Sequence, residues 1–527
     1  MDGKHGKPMN KINNVLFIMC DQLRADYLGC YGHPTIKTPN IDALAAQGMK
    51  FTRSYCSAPT CGPSRMSFYT GRSMFSHGAI WNFVPLSIRE QTIGDLLRPH
   101  GVRVALAGKT HFAPDTEAMQ RLGIPAMDGS AMLEGGFEVV DRYEGHADPG
   151  GHHPYMRFLR DAGYGGPNPW DEFVMSATDA NGKRVSGWKM RNVHLPARVR
   201  EEHSETAYTT DVAIDFIRRQ DDQPWFLHLS YIKPHWPYLA PAPYNDMYGV
   251  EDCLPTVKSD AELINPHPVY AAYLKHRESV NFARDEVAAR VKIPYMGLVS
   301  QVDHHLGRVM AALRETGQDR NTLIVFTSDH GDYLGDHWLG DKDLFHEPSV
   351  RIPMIVVDPH DDASVSRGNT STALVESIDF LPTVMDALGL ERPNHLLEGD
   401  SLLGFTRGRG PGWRDAAISE IDYAYREARI ELGQDPRRCR GYMVRTERWK
   451  YIFWDGHAEQ LFDMTLDPDE LHDVGGDEAL SSVRSEHKER LFEWMRTRKL
   501  SVTVPDQNIV VSRHSIEPRH GIEIGVW

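Results

Sequence analysis

Apolar residues along this chain gather in short, nearly unbroken runs, separated by stretches in which they recur every three or four positions. Runs of strand length, rich in β-branched and aromatic residues, stand at 15–20, 102–107, 225–231, 322–328 and 352–358, and each predicts a strand. The stretches between them read as helices. One is marked at both ends, with Thr38 as N-cap, Pro39 at the first helical position, Ile41, Leu44 and Ala45 on one face, and Gly48 as the stop. A second spans 293–315 and leads through Gly317 into the run at 322. Strands alternating with helices predict an α/β fold with a mostly parallel sheet flanked by helices. Ligands of such sheets bind beyond the carboxyl ends of the strands. Asp21, Lys109 and Asp329 each fall just past an apolar run.

Elsewhere the pattern is weaker. Residues 126–198, rich in Gly, Pro, His, Trp and Tyr, have no firm period and read as long surface loops shaping a pocket. The Gly/Arg/Pro run at 404–412 reads as a linker. After it, strands at 441–445, 449–454 and 460–463 and a helix at 482–497 predict a smaller C-terminal α+β domain. The expected organisation is a catalytic domain over 12–403, the small domain over 413–500, and a tail, 501–527, as a candidate subunit contact.

Composition narrows the class. With 527 residues, 41% hydrophobic and 25% charged, the chain is that of a globular protein, not a collagen-like, coiled-coil or disordered one. The net charge of −15 argues against a nucleic-acid partner, because such partners demand clustered Lys and Arg. The run at 15–20, stopped by Asp21, is too short for a signal peptide despite Lys4, Lys7 and Lys11, and no run approaches a membrane span, so the expected location is cytoplasmic. None of the six cysteines forms a CxxC pair, which predicts free and mostly buried thiols rather than a disulfide framework.

One cysteine stands apart. In Cys61-Gly62-Pro63-Ser64-Arg65-Met66-Ser67-Phe68-Tyr69-Thr70-Gly71-Arg72, Pro63 suits a first helical turn, so Cys61 is expected just before a helix N-terminus, where the dipole and Arg65 favour an anionic nucleophile. For an isolated cysteine the plainer reading is a buried thiol before an ordinary helix. The whole window, however, resembles the type I sulfatase signature, C-x-P-S-R followed by T-G-R. The likeness runs from Asn14-Val15-Leu16-Phe17-Ile18-Met19-Cys20-Asp21-Gln22 to Leu461-Phe462-Asp463 and Asp467-Pro468. It implies an alkaline-phosphatase-like fold, hydrolysis of sulfate or related esters, and conversion of Cys61 to 3-oxoalanine (formylglycine) by the formylglycine-generating enzyme.

The resemblance also implies the site. Its metal ligands map to Asp21, Gln22, Asp329, His330 and modified residue 61, around one divalent ion, Mn²⁺ or Ca²⁺. Gln22 stands where many arylsulfatases have aspartate, whereas choline sulfatases and phosphonate monoester hydrolases have glutamine there. Gly108-Lys109-Thr110-His111 is similar to the second signature, G-K-x-H, where phosphonate monoester hydrolases tend to have Tyr and Thr in place of the Lys and His. Lys233-Pro234-His235-Trp236-Pro237 resembles the P-H-x-P segment, and Ala240-Pro241-Ala242-Pro243-Tyr244 looks closest to the phosphonate hydrolases. The implied roles are the nucleophile at residue 61, its deprotonation favoured by the metal and Arg65, charge neutralisation by Lys109, Lys342 and the metal, proton donation by His235 and proton acceptance by His111. Asn82, Lys342 and His235 would touch the substrate, whereas His77, His337 and His346 read as structural. The leading expectation is an arylsulfatase-like hydrolase of small sulfate monoesters. The alternatives are a phosphonate monoester hydrolase or phosphodiesterase, a choline sulfatase, and a silent binding protein on the same scaffold. Homo-oligomerisation, as dimer or tetramer, is expected from likeness to oligomeric family members.

Overall fold

The computed structural model describes residues 11–125, 131–145, 150–410, 412–499, 502–505 and 507–508. Lys4, Lys7, most of the 501–527 tail, and residues 126–130 and 146–149 of the expected loop region lie outside the described residues.

The strands, in chain order, are β1 (Asn14–Asp21), β2 (Met49–Tyr55), β3 (Arg103–Gly108), β4 (Glu138–Arg142), β5 (Ser176–Thr178), β6 (Arg184–Ser186), β7 (Trp225–Pro234), β8 (Thr322–Ser328), β9 (Arg351–Val357), β10 (Thr370–Glu376), β11 (Ala417–Asp422), β12 (Arg440–Arg445), β13 (Trp449–Trp454) and β14 (Gln460–Asp463). Eight form the central sheet in the order β10-β2-β9-β8-β1-β7-β3-β4. All neighbours are parallel except at β9, which runs antiparallel to β2 and β8. β1 lies between β8 and β7, with Cys20 opposite Ser328 and Tyr231, so the ends of all three strands lie level.

β1 reads as an unbroken apolar run because both its faces are covered. Val15, Phe17 and Met19 pack with α2 (Cys61–Thr70) and α5 (Phe380–Ala387). Leu16, Ile18 and Cys20 pack with α1 (Pro39–Gln47), α3 (Glu205–Arg218) and α4 (Asp285–Glu315). α1 has the bounds expected. α4 begins eight residues before the expected 293 and carries Pro294 in its interior. Proline costs a helix one backbone hydrogen bond, but the flanking Val291, Tyr295, Met296 and Val299 are buried against the sheet, and that packing carries the helix through.

Three expectations need correction. The 126–198 region is not simply loop: it holds β4, a helix at Pro154–Asp161 and the β5–β6 hairpin, around a satellite core of Tyr155, Leu159, Trp170 and Met175. The expected linker starts as a short helix, Leu403–Thr406, anchored where Thr406 Oγ1 and Arg407 Nε donate to Asp358. The C-terminal antiparallel sheet has four strands, β11-β12-β13-β14, the first unforeseen because Glu420 and Asp422 interrupt its apolar pattern while being buried. α6 (Ser481–Arg496) covers one face of this sheet through Leu491. Its other face, with Met443, Ile452 and Phe462, joins the main core. Among the described residues, no helix is long and apolar enough to cross a membrane.

Candidate active site

The carboxyl ends of four central strands deliver the chemistry to one edge of the sheet. β1 ends in Asp21, followed by Gln22; β8 leads into Asp329 and His330; β3 leads into Lys109; β7 leads into His235. Gly108 has a φ of +107°, and a Cβ there would stand 2.0 Å from the Ser230 carbonyl oxygen, so only glycine lets the chain turn against β7 and aim Lys109 inward. Cys61 is the first residue of α2, not the residue before it, and is itself buried.

Asp21, Cys61, Asp329 and His330 each offer one ligand atom, and these atoms lie within 4.8 Å of one another. Cys61 Sγ is 3.2 Å from His330 Nε2 and 3.8 Å from Asp21 Oδ1. His330 Nε2 is 3.7 Å from one oxygen of each aspartate. Its Nδ1 donates to the Gly331 carbonyl at 2.8 Å, which leaves the Nε2 lone pair facing the cluster. Burial holds this imidazole below its ordinary pKa, in the neutral form that can ligate. The outer oxygens of the two aspartates are held by cations instead. Arg65 donates Nε to Asp329 Oδ2 at 2.8 Å and stands 3.4 Å from Asp21 Oδ2, which Lys109 Nζ approaches at 2.5 Å. Arg65 is further fixed by the Lys109 carbonyl and Ser230 Oγ, at 2.9 and 2.8 Å. Burial works against the charge of Asp21, but Lys109, then His235, Arg65 and His330, hold its carboxyl well below the usual range.

Lys342 joins the remaining groups. Its Nζ lies 3.2 Å from Gln22 Oε1, 3.3 Å from Cys61 Sγ and 3.2 Å from His235 Nε2. His235 Nδ1 donates to the Trp236 carbonyl at 2.6 Å, so Nε2 is the nitrogen turned to Lys342. Asn82 Oδ1 accepts the Gly62 N–H at 2.7 Å, which fixes the backbone beside residue 61. His111 sits at a φ of +53°, its N–H held by Glu144 and its ring 4.8 Å from the Phe83 ring. His77 is held between Ser67 and the Ala79 N–H, and His337 stacks on His346 with 4.0 Å between centroids.

The thiol corrects one expectation. Position at a helix start and proximity to Arg65 predict an easily ionised side chain, yet burial first, and then Asp21, push the Cys61 thiol up to about 12. The guanidinium is committed to the aspartates, so its field on sulfur is offset. Sequence reasoning also missed Asp332, Asp341 and Tyr238, which surround the Gln22 amide, and Ser230, which fixes Arg65. Their only signal was proximity in sequence to the expected site residues.

The comparisons with known proteins agree with this geometry. The sulfatase family profile matches residues 13–390, and that of the N-sulphoglucosamine sulphohydrolase C-terminal region matches 335–497. The chain is 32% identical over 505 residues to the multifunctional alkaline phosphatase superfamily protein PehA of Trinickia caryophylli, spanning 91% of this chain and 95% of that one. It is 29% identical over 499 residues to an arylsulfatase of Clostridium perfringens, spanning 91% and 92%. The crystal structure of the phosphonate monoester hydrolase of Agrobacterium radiobacter superposes with a TM-score of 0.81 at 30% identity, covering 93% of this chain and 96% of that one. Fold class and family match expectation, and the likenesses support a hydrolase acting on sulfate or phosphonate esters. With a family profile matched along most of its length and its strand ends gathered on one cysteine-bearing helix, the chain belongs to the sulfatase family of the alkaline phosphatase superfamily.

Proposed function

We propose that this protein is a formylglycine- and metal-dependent hydrolase of sulfate monoesters, aryl esters among them, releasing inorganic sulfate and an alcohol or phenol. The observation that carries the reading is the convergence of Asp21, Cys61, Asp329 and His330 beside two lysines, Lys109 and Lys342. The donor set fits a divalent ion: two carboxylates, each with one oxygen turned to the cluster, a neutral imidazole with its Nε2 lone pair inward, and Gln22 Oε1 reached through Lys342. Oxygen-rich donors with one nitrogen suit Mn²⁺ or Ca²⁺. When present, the ion supplies positive charge and lowers the pKa of a bound oxygen, while formylglycine, made from Cys61 by the formylglycine-generating enzyme, supplies a hydrated aldehyde as oxygen nucleophile.

The chain's own residues account for the rest. Arg65 holds the two aspartates in place, and Lys109 and Lys342 offset charge on the transferred group. His235, its Nδ1–H tied to a carbonyl, gives the leaving oxygen a proton from Nε2 as an imidazolium, and His111 serves as proton acceptor. Asn82 steadies residue 61 through its neighbour. A second reading, phosphonate monoester hydrolase or phosphodiesterase, is favoured by the 30% identity to the phosphonate monoester hydrolase of Agrobacterium radiobacter. Relative kcat/KM on an aryl sulfate, an aryl phosphonate monoester and a phosphate diester separates the two, and preference for the sulfate is expected. Mass spectrometry of the peptide containing residue 61 tests the modification: an unmodified thiol in fully active enzyme would refute it. The proposed setting is cytoplasmic, as a homo-oligomer contacted through 501–527, and an unchanged gel-filtration size after truncation at residue 500 would count against that contact.

A further inference from the structure

We propose that Asp332, with Asp341 and Tyr238, locks the Gln22 side-chain amide in one orientation, which makes position 22 a place for an amide and not an acid. Asp332 is then a positioning residue for Gln22. The orientation stands on contacts alone; its consequence for metal binding rests on the reading above.

Gln22 is fully buried and has left-handed backbone, with a φ of +65°. Its peptide is pinned on both sides: its N–H donates to Asp329 Oδ1 at 3.1 Å, and its carbonyl accepts from Tyr295 at 2.8 Å. Side-chain Nε2 then faces acceptors only, Asp332 Oδ2 at 2.6 Å, Asp341 Oδ1 at 3.2 Å and Tyr238 OH at 3.4 Å. Oε1 faces a donor, Lys342 Nζ, at 3.2 Å. Carboxylates on one side and an ammonium on the other are satisfied by one of the two amide flips and by no other. Asp332 is itself held, accepting from Tyr238 OH at 2.6 Å and the Leu334 N–H at 3.0 Å, and Asp341 Oδ1 accepts from Trp236 Nε1 at 3.1 Å. An acid at position 22 would put an acceptor oxygen where Nε2 now donates, so that Asp332 Oδ2 and Asp341 Oδ1 lose the N–H they accept, with Gln22 and Asp332 both fully buried. The locked amide turns Oε1 toward Lys342, whose Nζ stands 3.3 Å from Cys61 Sγ.

A double-mutant cycle on the full-length protein tests this. Melting in chelator is compared for wild type, Gln22→Glu, Asp332→Asn and Gln22→Glu/Asp332→Asn, followed by titration with Mn²⁺ alone, read by the electron paramagnetic resonance of free ion. Gln22→Glu is expected to melt roughly 2–4 °C lower, and the double variant, in which donor and acceptor have changed places, to regain most of the loss. Asp332→Asn alone sets an amide against an amide, and Mn²⁺ affinity should fall roughly 10–100-fold, with recovery in the double variant. Tyr238→Phe, which removes a single hydroxyl, should weaken Mn²⁺ in the same direction by less. A Gln22→Glu protein as stable as wild type, or a double variant no better than its worse parent, overturns the proposal. Rescue in the melting cycle with no Mn²⁺ uptake by wild type would uphold the locked amide and refute the metal reading instead.

Discussion

Two buried clusters of charge lie on either side of the 329–347 loop, and they are built differently. Around Lys450, acceptors close on a protein cation: its fully buried ammonium meets Glu347 Oε1 at 3.0 Å, Glu470 Oε1 at 2.5 Å and the Phe345 carbonyl at 2.8 Å. Around Cys61, acceptors close on one another. Each aspartate gives one oxygen to Arg65 or Lys109 and turns the other toward a thiol and a neutral imidazole. The first arrangement sets an ammonium between two acids, with Arg351 and Arg445 beside Glu347, and ties the C-terminal sheet to the catalytic body. The second gathers ligand atoms of like character, which costs stability unless something else is to be held there. Burial and charge alone do not distinguish a site from a strut; the direction in which the lone pairs point does.

Four experiments sharpen or break that contrast. Replacing Cys61 with Ser should reduce steady-state turnover roughly 10⁴–10⁶-fold, the scale of losing a nucleophile, with the melting temperature little changed; turnover at the wild-type rate would place the chemistry elsewhere. His235→Gln should cost roughly 10²–10⁴ in kcat on esters with poor leaving groups and far less on activated aryl esters. An equal loss on both would mean that His235 does not protonate the leaving oxygen. Lys450→Met should do the reverse of Cys61→Ser, lowering stability by roughly 3–5 kcal/mol in chemical denaturation because two carboxylates lose their partner, while kcat/KM of the folded fraction stays near wild type. The smallest effect concerns pH. Burial raises the Glu347 carboxyl, but Lys450, then Arg351 and Arg445, bring it from the usual 4.5 down to about 2. A depressed folded pKa contributes stability that is present above 4.5 and is lost as pH falls through about 2. In Lys450→Met, where the folded carboxyl is no longer depressed, this acid limb should flatten between pH 4.5 and 2, and a melting profile parallel to wild type over that range would show that Glu347 does not depend on that lysine.

The parts of the fold that were legible share one property. β1, β3, β7, β8 and β9 read as apolar runs because helices or loops cover both their faces, and the few polar residues in their interiors, such as His228, Ser230 and Thr327, are buried. β4 and β10, at the sheet's edges, and β2 beside β10 carry Lys50, Thr52, Asp141 and Thr372 among their apolar positions and did not stand out. β11 was hidden for the opposite reason: Glu420 and Asp422 look like surface residues, yet both are buried, and burial, reinforced by Glu398, pushes the Glu420 carboxyl up to about 8. In the site, Asp21, Cys61, Lys109, Asp329 and His330 were legible because each belongs to a strand end or a signature of fixed spacing. Asp332, Asp341 and Tyr238 were not, because they act on Gln22 from across the fold, 310, 319 and 216 residues away along the chain.

Taken alone, the amino-acid order determined the layered α/β architecture and the family, since both depend on local period and on short motifs. It also determined which residues are chemically able to act. Only the tertiary structure decided which atom of each residue faces which neighbour: the inward oxygens of two aspartates, the Nε2 lone pair of His330, the commitment of Arg65 away from sulfur, and the amide at position 22. Lone-pair direction and dielectric surroundings are set by groups hundreds of residues apart, and no window of sequence contains them.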